Sequence, residues 1–97
     1  MFAVITTVEV EPGSIPELAA LFDSSNRELV AGHADWLGAW FTANHERSEI
    51  TVIARWANAD SYERLRAGDD FQQVMSQFAA KFVRPPSVSI NEILVQM

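Results

Sequence analysis

Glu49-Ile50-Thr51-Val52-Ile53-Ala54-Arg55-Trp56, continuing through Ala57-Asn58-Ala59-Asp60-Ser61-Tyr62, is the stretch on which the fold turns. Its first half is rich in β-branched residues, which suit a pleated sheet. Alternation puts Ile50, Val52, Ala54 and Trp56 on one face and Thr51, Ile53 and Arg55 on the other. Asn58 is a good helix N-cap, because its side-chain oxygen can accept from a first-turn N–H that has no intrahelical partner. Tyr62 then falls about one turn into the helix. From there it can lean back over the strand end beside Trp56. An indole N–H and a phenol O–H meeting over an apolar sheet would frame a small-molecule pocket. The plainer alternative is that both rings are core.

Working outward, Asn44-His45-Glu46-Arg47 is a polar hairpin connection back to a second strand over Asp35 to Ala43. Simple alternation groups Trp36, Gly38, Trp40 and Thr42 on one face and Leu37, Ala39, Phe41 and Ala43 on the other. Both faces carry apolar bulk, so one should meet helices and the other a second subunit. Phe2 to Val10 reads as the first strand, and Glu11-Pro12-Gly13 breaks it. Ser14 and Glu17 have capping-box spacing, and Leu18, Leu21, Phe22, Ser25 and Leu29 then follow at helical intervals. The first helix is placed at about residues 14–31, stopped by Gly32. Downstream, Asn58 to Ala67 forms a short helix ended by Gly68, and Asp69 or Asp70 caps a third. Phe71, Val74, Met75, Phe78 and Phe82 give that helix the cleanest amphipathic pattern in the chain. Arg84-Pro85-Pro86 ends it. Val88, Ile90 and Leu94 mark a last strand, with Ile93, Val95 and Met97 on its other face. The order predicts an α+β, ferredoxin-like fold: a four-stranded antiparallel sheet with helices on one face, one domain over residues 1–97.

A sheet covered on one side leaves its other face bare, here expected to be aliphatic. With 48% apolar residues in 97, burial against a second copy is the expected outcome, at about 800 Å² per partner for a standard interface. The net charge of −6 and scattered basic residues argue against nucleic acid. No apolar run reaches the ~18 residues of a membrane span, so no membrane role is expected. The absence of cysteine suits the cytoplasm.

Ile53-Ala54-Arg55-Trp56, followed by a capped helix with an aromatic six residues after the tryptophan, resembles the antibiotic biosynthesis monooxygenase family. So do Val10-Glu11-Pro12-Gly13, Trp36-Leu37-Gly38 and Asp70-Phe71. The resemblance implies a dimeric α/β barrel in which the C-terminal strand reaches across to the partner. It also implies cofactor-independent chemistry, in which an electron-rich substrate anion reduces O2 directly. Trp56 and Tyr62 match family positions tied to substrate binding, and the resemblance makes them donors to the developing oxyanion. The family's strand asparagine is replaced by Val52, and its last-helix arginine falls near Ser76. The heme-degrading branch has a histidine near Met75 and a tryptophan near Leu65, and neither is present.

Other chemistries find little footing. His33 and His45 bracket a strand, which holds them roughly 30 Å or more apart, so no metal site is expected. The glycines are isolated and form no dinucleotide fingerprint, so no cofactor is expected. What remains is a pocket roofed by Phe22, Tyr62, Phe71, Met75 and Phe78 and floored by Val52 and Trp56. His33, Asn26 and Trp36 are candidates for a further base or donor. The resemblance implies, for such a pocket, a homodimeric, cofactor-free monooxygenase oxidising a small phenolic, anthrone or quinol-like aromatic with O2. The alternative is a non-catalytic dimeric module that binds a small hydrophobic ligand.

Overall fold

In the computed structural model, residues 1–97 form β1 (Phe2–Glu9), α1 (Ile15–Val30), β2 (Trp36–Asn44), β3 (Glu49–Trp56), α2 (Ala59–Arg66), α3 (Asp69–Ala79) and β4 (Ser87–Glu92). The strands make one antiparallel sheet in the order β2-β3-β1-β4. The three helices cover one of its faces, giving the α+β, ferredoxin-like arrangement that the sequence implies.

The core forms where apolar stripes of the helices meet the inward residues of β1 and β3. Val8, Val10 and Ile50 pack with Ile15, Leu18 and Phe78 in one cluster. Val4, Trp56, Val30 and Tyr62 form the second, at the other end of the sheet. Leu18 is 1% exposed, and burying a leucine so completely is worth about 1.5–3 kcal/mol. The chain after α3 returns to the sheet through a single bridge between Val10 and Phe82. Phe82 therefore belongs to that bridge and lies beyond the end of α3, which stops at Ala79.

Register departs from simple alternation at the start of β2. Trp36 lies opposite Trp56 and Gly38 opposite Arg55, leaving Leu37 as an extra residue in a bulge. Gly38 takes φ +134°, a conformation that L side chains rarely adopt. The bulge re-phases the strand, so Trp36 shares the inner face with Ala39, Phe41 and Ala43. The grouping of Trp36 with Trp40 expected from strict alternation is thereby corrected.

Three local expectations are also revised. Ser14 makes no capping bond to the start of α1; its Oγ donates to the Glu11 carbonyl at 2.6 Å. The N-cap of α3 is Gly68, with Asp69 and Asp70 inside the first turn, where their charge still favours the helix dipole. The last strand ends at Glu92, and Leu94, Val95 and Met97 are 80%, 75% and 113% exposed. The uncovered sheet face is also less aliphatic than expected. Ile5 and Ile53 pair across it, but the next row is Thr7, Thr51 and Thr42. Trp40 stands on this face 56% exposed, with the Arg55 guanidinium 5.2 Å from its ring centre. No helix is long and apolar enough to cross a membrane.

Candidate functional site

Between the inner sheet face and the helices lies an apolar cavity of about 320 Å³. Its walls draw on both core clusters, with Val8, Ile50 and Phe78 from one and Val4, Val30, Trp56 and Tyr62 from the other. Trp56, Tyr62, Phe22, Val52, Phe71, Met75, Phe78 and Trp36 all line it. His33 does not. It is exposed beyond the end of α1, with its ring centre 6.2 Å from that of Trp56, edge to face.

The aromatic walls form a connected series. Trp36 and Trp56 meet edge to face at 5.2 Å, Trp56 and Tyr62 are 6.1 Å apart, and Tyr62 meets Phe71 edge-on at 6.5 Å. Such tilted contacts favour the ring quadrupoles and hold each ring in place. Phe22 and Phe41, at 5.0 Å, close the opposite end.

Two polar atoms in this apolar setting lack partners. The Trp56 indole N–H is buried and makes no hydrogen bond, in a residue only 1% exposed. Tyr62, a residue 7% exposed, makes no side-chain hydrogen bond either, but its hydroxyl is not sealed off as the indole N–H is. Burial pushes the Tyr62 phenol pKa up, against a smaller opposing pull from Arg66. Tyr62 is therefore a neutral O–H donor at physiological pH. An unsatisfied buried donor costs about 1–3 kcal/mol, which sets the Trp56 N–H apart from the other polar atoms around the cavity.

Both residues are held from behind by a polar clip. Asn58 Oδ1 accepts from the Ser61 N–H at 2.9 Å, as its N-cap position predicts. Asp35 accepts from Ser61 Oγ and from Asn58 Nδ2, and these bonds hold its carboxyl below the usual range. The Asp35 carbonyl accepts from the Ala57 N–H at 2.8 Å. The start of β2, the end of β3 and the first turn of α2 are thus tied together, which fixes Tyr62 relative to Trp56.

Four further polar residues line the cavity: Thr6, Asn26, Arg66 and Gln72. Only Asn26 was a candidate from sequence. Arg66 could have been found, because it lies four residues after Tyr62 and so on the same helix face. Ser76 faces a neighbouring groove between α3 and Pro85-Pro86 instead. No three histidine, aspartate or glutamate side chains converge as metal ligands.

Comparison with known proteins places this geometry. A family model for antibiotic biosynthesis monooxygenases matches residues 1–77. No protein of curated function matches the chain. Among solved structures, a mutant of SnoaB, a cofactor-independent oxygenase from Streptomyces nogalater, superposes with TM-score 0.82 at 13% identity, covering 99% of this chain and 95% of that one. Rv0793 from Mycobacterium tuberculosis gives 0.79 at 18% identity, covering 98% and 96%. A conserved protein from Methanosarcina mazei Go1 gives 0.78 at 16%, covering 92% and 88%. At these identities the superpositions show a shared fold, and the family match carries the assignment. The chain belongs to the antibiotic biosynthesis monooxygenase family.

Proposed function

We propose that the protein is a cofactor-independent monooxygenase that oxidises a small phenolic, anthrone or quinol-like aromatic with O2. One observation carries this reading: an apolar, ring-lined cavity is bordered by Trp56, whose buried indole N–H has no protein partner, and by Tyr62, whose phenol O–H is the neighbouring free donor. SnoaB, of the same fold, is a cofactor-independent oxygenase, which supports it.

The substrate ring packs against Phe71, Met75 and Phe78, where aromatic and thioether groups favour flat rings. Its oxygen accepts from Trp56 and Tyr62, and these bonds strengthen as the substrate loses a proton and becomes an anion. The anion passes electrons to O2. For an anthrone, one oxygen atom ends in the new carbonyl, and the other leaves as water with the two hydrogens lost from carbon. The apolar walls limit competing water. Tyr62, kept protonated by burial, serves as donor and not as base. No aspartate, glutamate or histidine lines the cavity, so the substrate proton passes to solvent or to a substrate group. Val52 supplies packing where the family has an asparagine, which fits a small ligand with fewer polar anchors.

The same reading makes the active species a homodimer in the cytoplasm, joined through the uncovered sheet face. Sedimentation at micromolar concentration should give twice the chain mass. An oxygen electrode with an anthrone and a panel of quinols, in the presence of chelator, tests the chemistry. Turnover should persist with chelator and fall in Trp56→Phe and Tyr62→Phe, with circular dichroism unchanged. Ligand binding with no oxygen uptake across the panel would instead identify a binding module.

A further inference from the structure

Arg66 is the one charged side chain on the cavity wall. It closes the last turn of α2, on the same helix face as Tyr62, and its backbone carbonyl accepts from Gln72 Nε2 at 3.0 Å. Gln72 also lines the cavity, so the joint between α2 and α3 presents a cation and an amide together.

This arginine has no acidic partner. The ion pairs of the chain are Arg27 with Asp23, Lys81 with Glu11 and Glu17, and Arg84 with Glu9. A basic residue in the last turn of a helix serves the dipole, but Arg64 already stands in that turn, donating to Ser61 Oγ at 3.3 Å. The dipole therefore leaves the placement of a second arginine against the cavity unexplained. The chain as a whole carries −6, a field that repels anions. A local cation is what an anionic ligand would need in order to dock here.

We propose that Arg66, with Gln72 beside it, receives a carboxylate on the ligand, so that the substrate class is an aromatic acid: a flat ring held among Phe71, Met75 and Phe22, its carboxylate at the α2–α3 joint. This rests on the aromatic-cavity reading above and narrows it. Guanidinium–carboxylate geometry favours such a pair, and because Arg66 and Gln72 are both exposed at the mouth of the cavity, the pair forms where salt can screen it.

Isothermal titration with 2-naphthoate and with its neutral counterpart 2-naphthamide tests the proposal. The wild-type chain should bind the naphthoate about tenfold more tightly at low ionic strength, with the preference shrinking as salt is added. Arg66→Gln should bring the two affinities together by weakening the naphthoate alone. Arg64→Gln removes the same charge from the same turn, and should keep the preference. Equal affinities in the wild type, or an unchanged preference in Arg66→Gln, would overturn the carboxylate site while leaving an aromatic cavity standing. Loss of the preference in Arg64→Gln as well would overturn it in favour of general charge. If neither naphthalene binds, both the carboxylate site and the aromatic-cavity reading fall.

Discussion

Replacing Trp56 by phenylalanine separates what its ring does for the fold from what its N–H does for a ligand. The smaller ring leaves roughly 40 Å³ unfilled, about 1 kcal/mol of cavity cost, on top of about 1–2 kcal/mol of lost transfer free energy. In the same step it removes a buried N–H that has no partner, relieving about 1–3 kcal/mol. The two nearly offset, so Trp56→Phe should lose about 1 kcal/mol or less, whereas Trp56→Ala should lose about 3–5 kcal/mol. Urea unfolding followed by circular dichroism measures both, at one fixed protein concentration. Binding of 2-naphthol, read by calorimetry, should meanwhile weaken about fivefold in Trp56→Phe, the worth of one hydrogen bond. A stability loss above about 3 kcal/mol in that variant would mean that the indole N–H is satisfied in solution. Unchanged naphthol affinity would mean that it never reaches the ligand. Either result refutes the reasoning.

Further outcomes follow from the same geometry. Leu18→Ala, at a site 1% exposed in the main core cluster, should cost about 2–5 kcal/mol in urea unfolding. Gly38→Ala should destabilise by about 1–3 kcal/mol, because φ +134° is strained for any L side chain; an unchanged midpoint would mean that the bulge relaxes. The Asp35 carboxyl titrates below its ordinary 3.8 in the folded chain, so its contribution is present above that pH and is lost as pH falls through the folded value. Asp35→Asn should accordingly flatten the acid limb of a stability-versus-pH curve measured below pH 4. Tyr62, the single tyrosine, has its phenol raised above 10.0 by burial, so stability should fall as pH rises past that value. Absorbance titration should show its ionisation delayed in the folded chain and normal in urea.

Much of the fold was legible because periodicity reports which face of an element is buried. The alternating Ile50, Val52, Ala54 and Trp56, and the helical spacing of Phe71, Val74, Met75 and Phe78, each locate their element and its inward side. Asn58 as a cap was equally readable, since its bond to Ser61 is local. The failures are local events that composition does not report. A bulge changes phase without changing composition, so Trp36 landed on the wrong face, and only the glycine two residues later hinted at it. Ser14 turns its hydroxyl to Glu11, a backbone partner that the Ser14–Glu17 spacing does not reveal. The site was half legible: rings on inward faces converge by geometry, but Arg66 and Gln72 reach the cavity through a helix joint whose angle no periodic pattern encodes. His33 was a candidate for a further base or donor, and the turn after α1 instead leaves it exposed.

The extra residue at Leu37 has a consequence for how copies of this chain can stick together. β2 is an outer strand of the sheet, and unpaired rims of this kind template further strands without limit. A kinked rim cannot lie flush against a straight neighbour, so stacking side by side is blocked at that border. A face-to-face contact between two sheets, by contrast, is closed once two molecules have met. The guard is confined to that end of β2, for β4 at the other edge of the sheet pairs in regular register and carries no such kink.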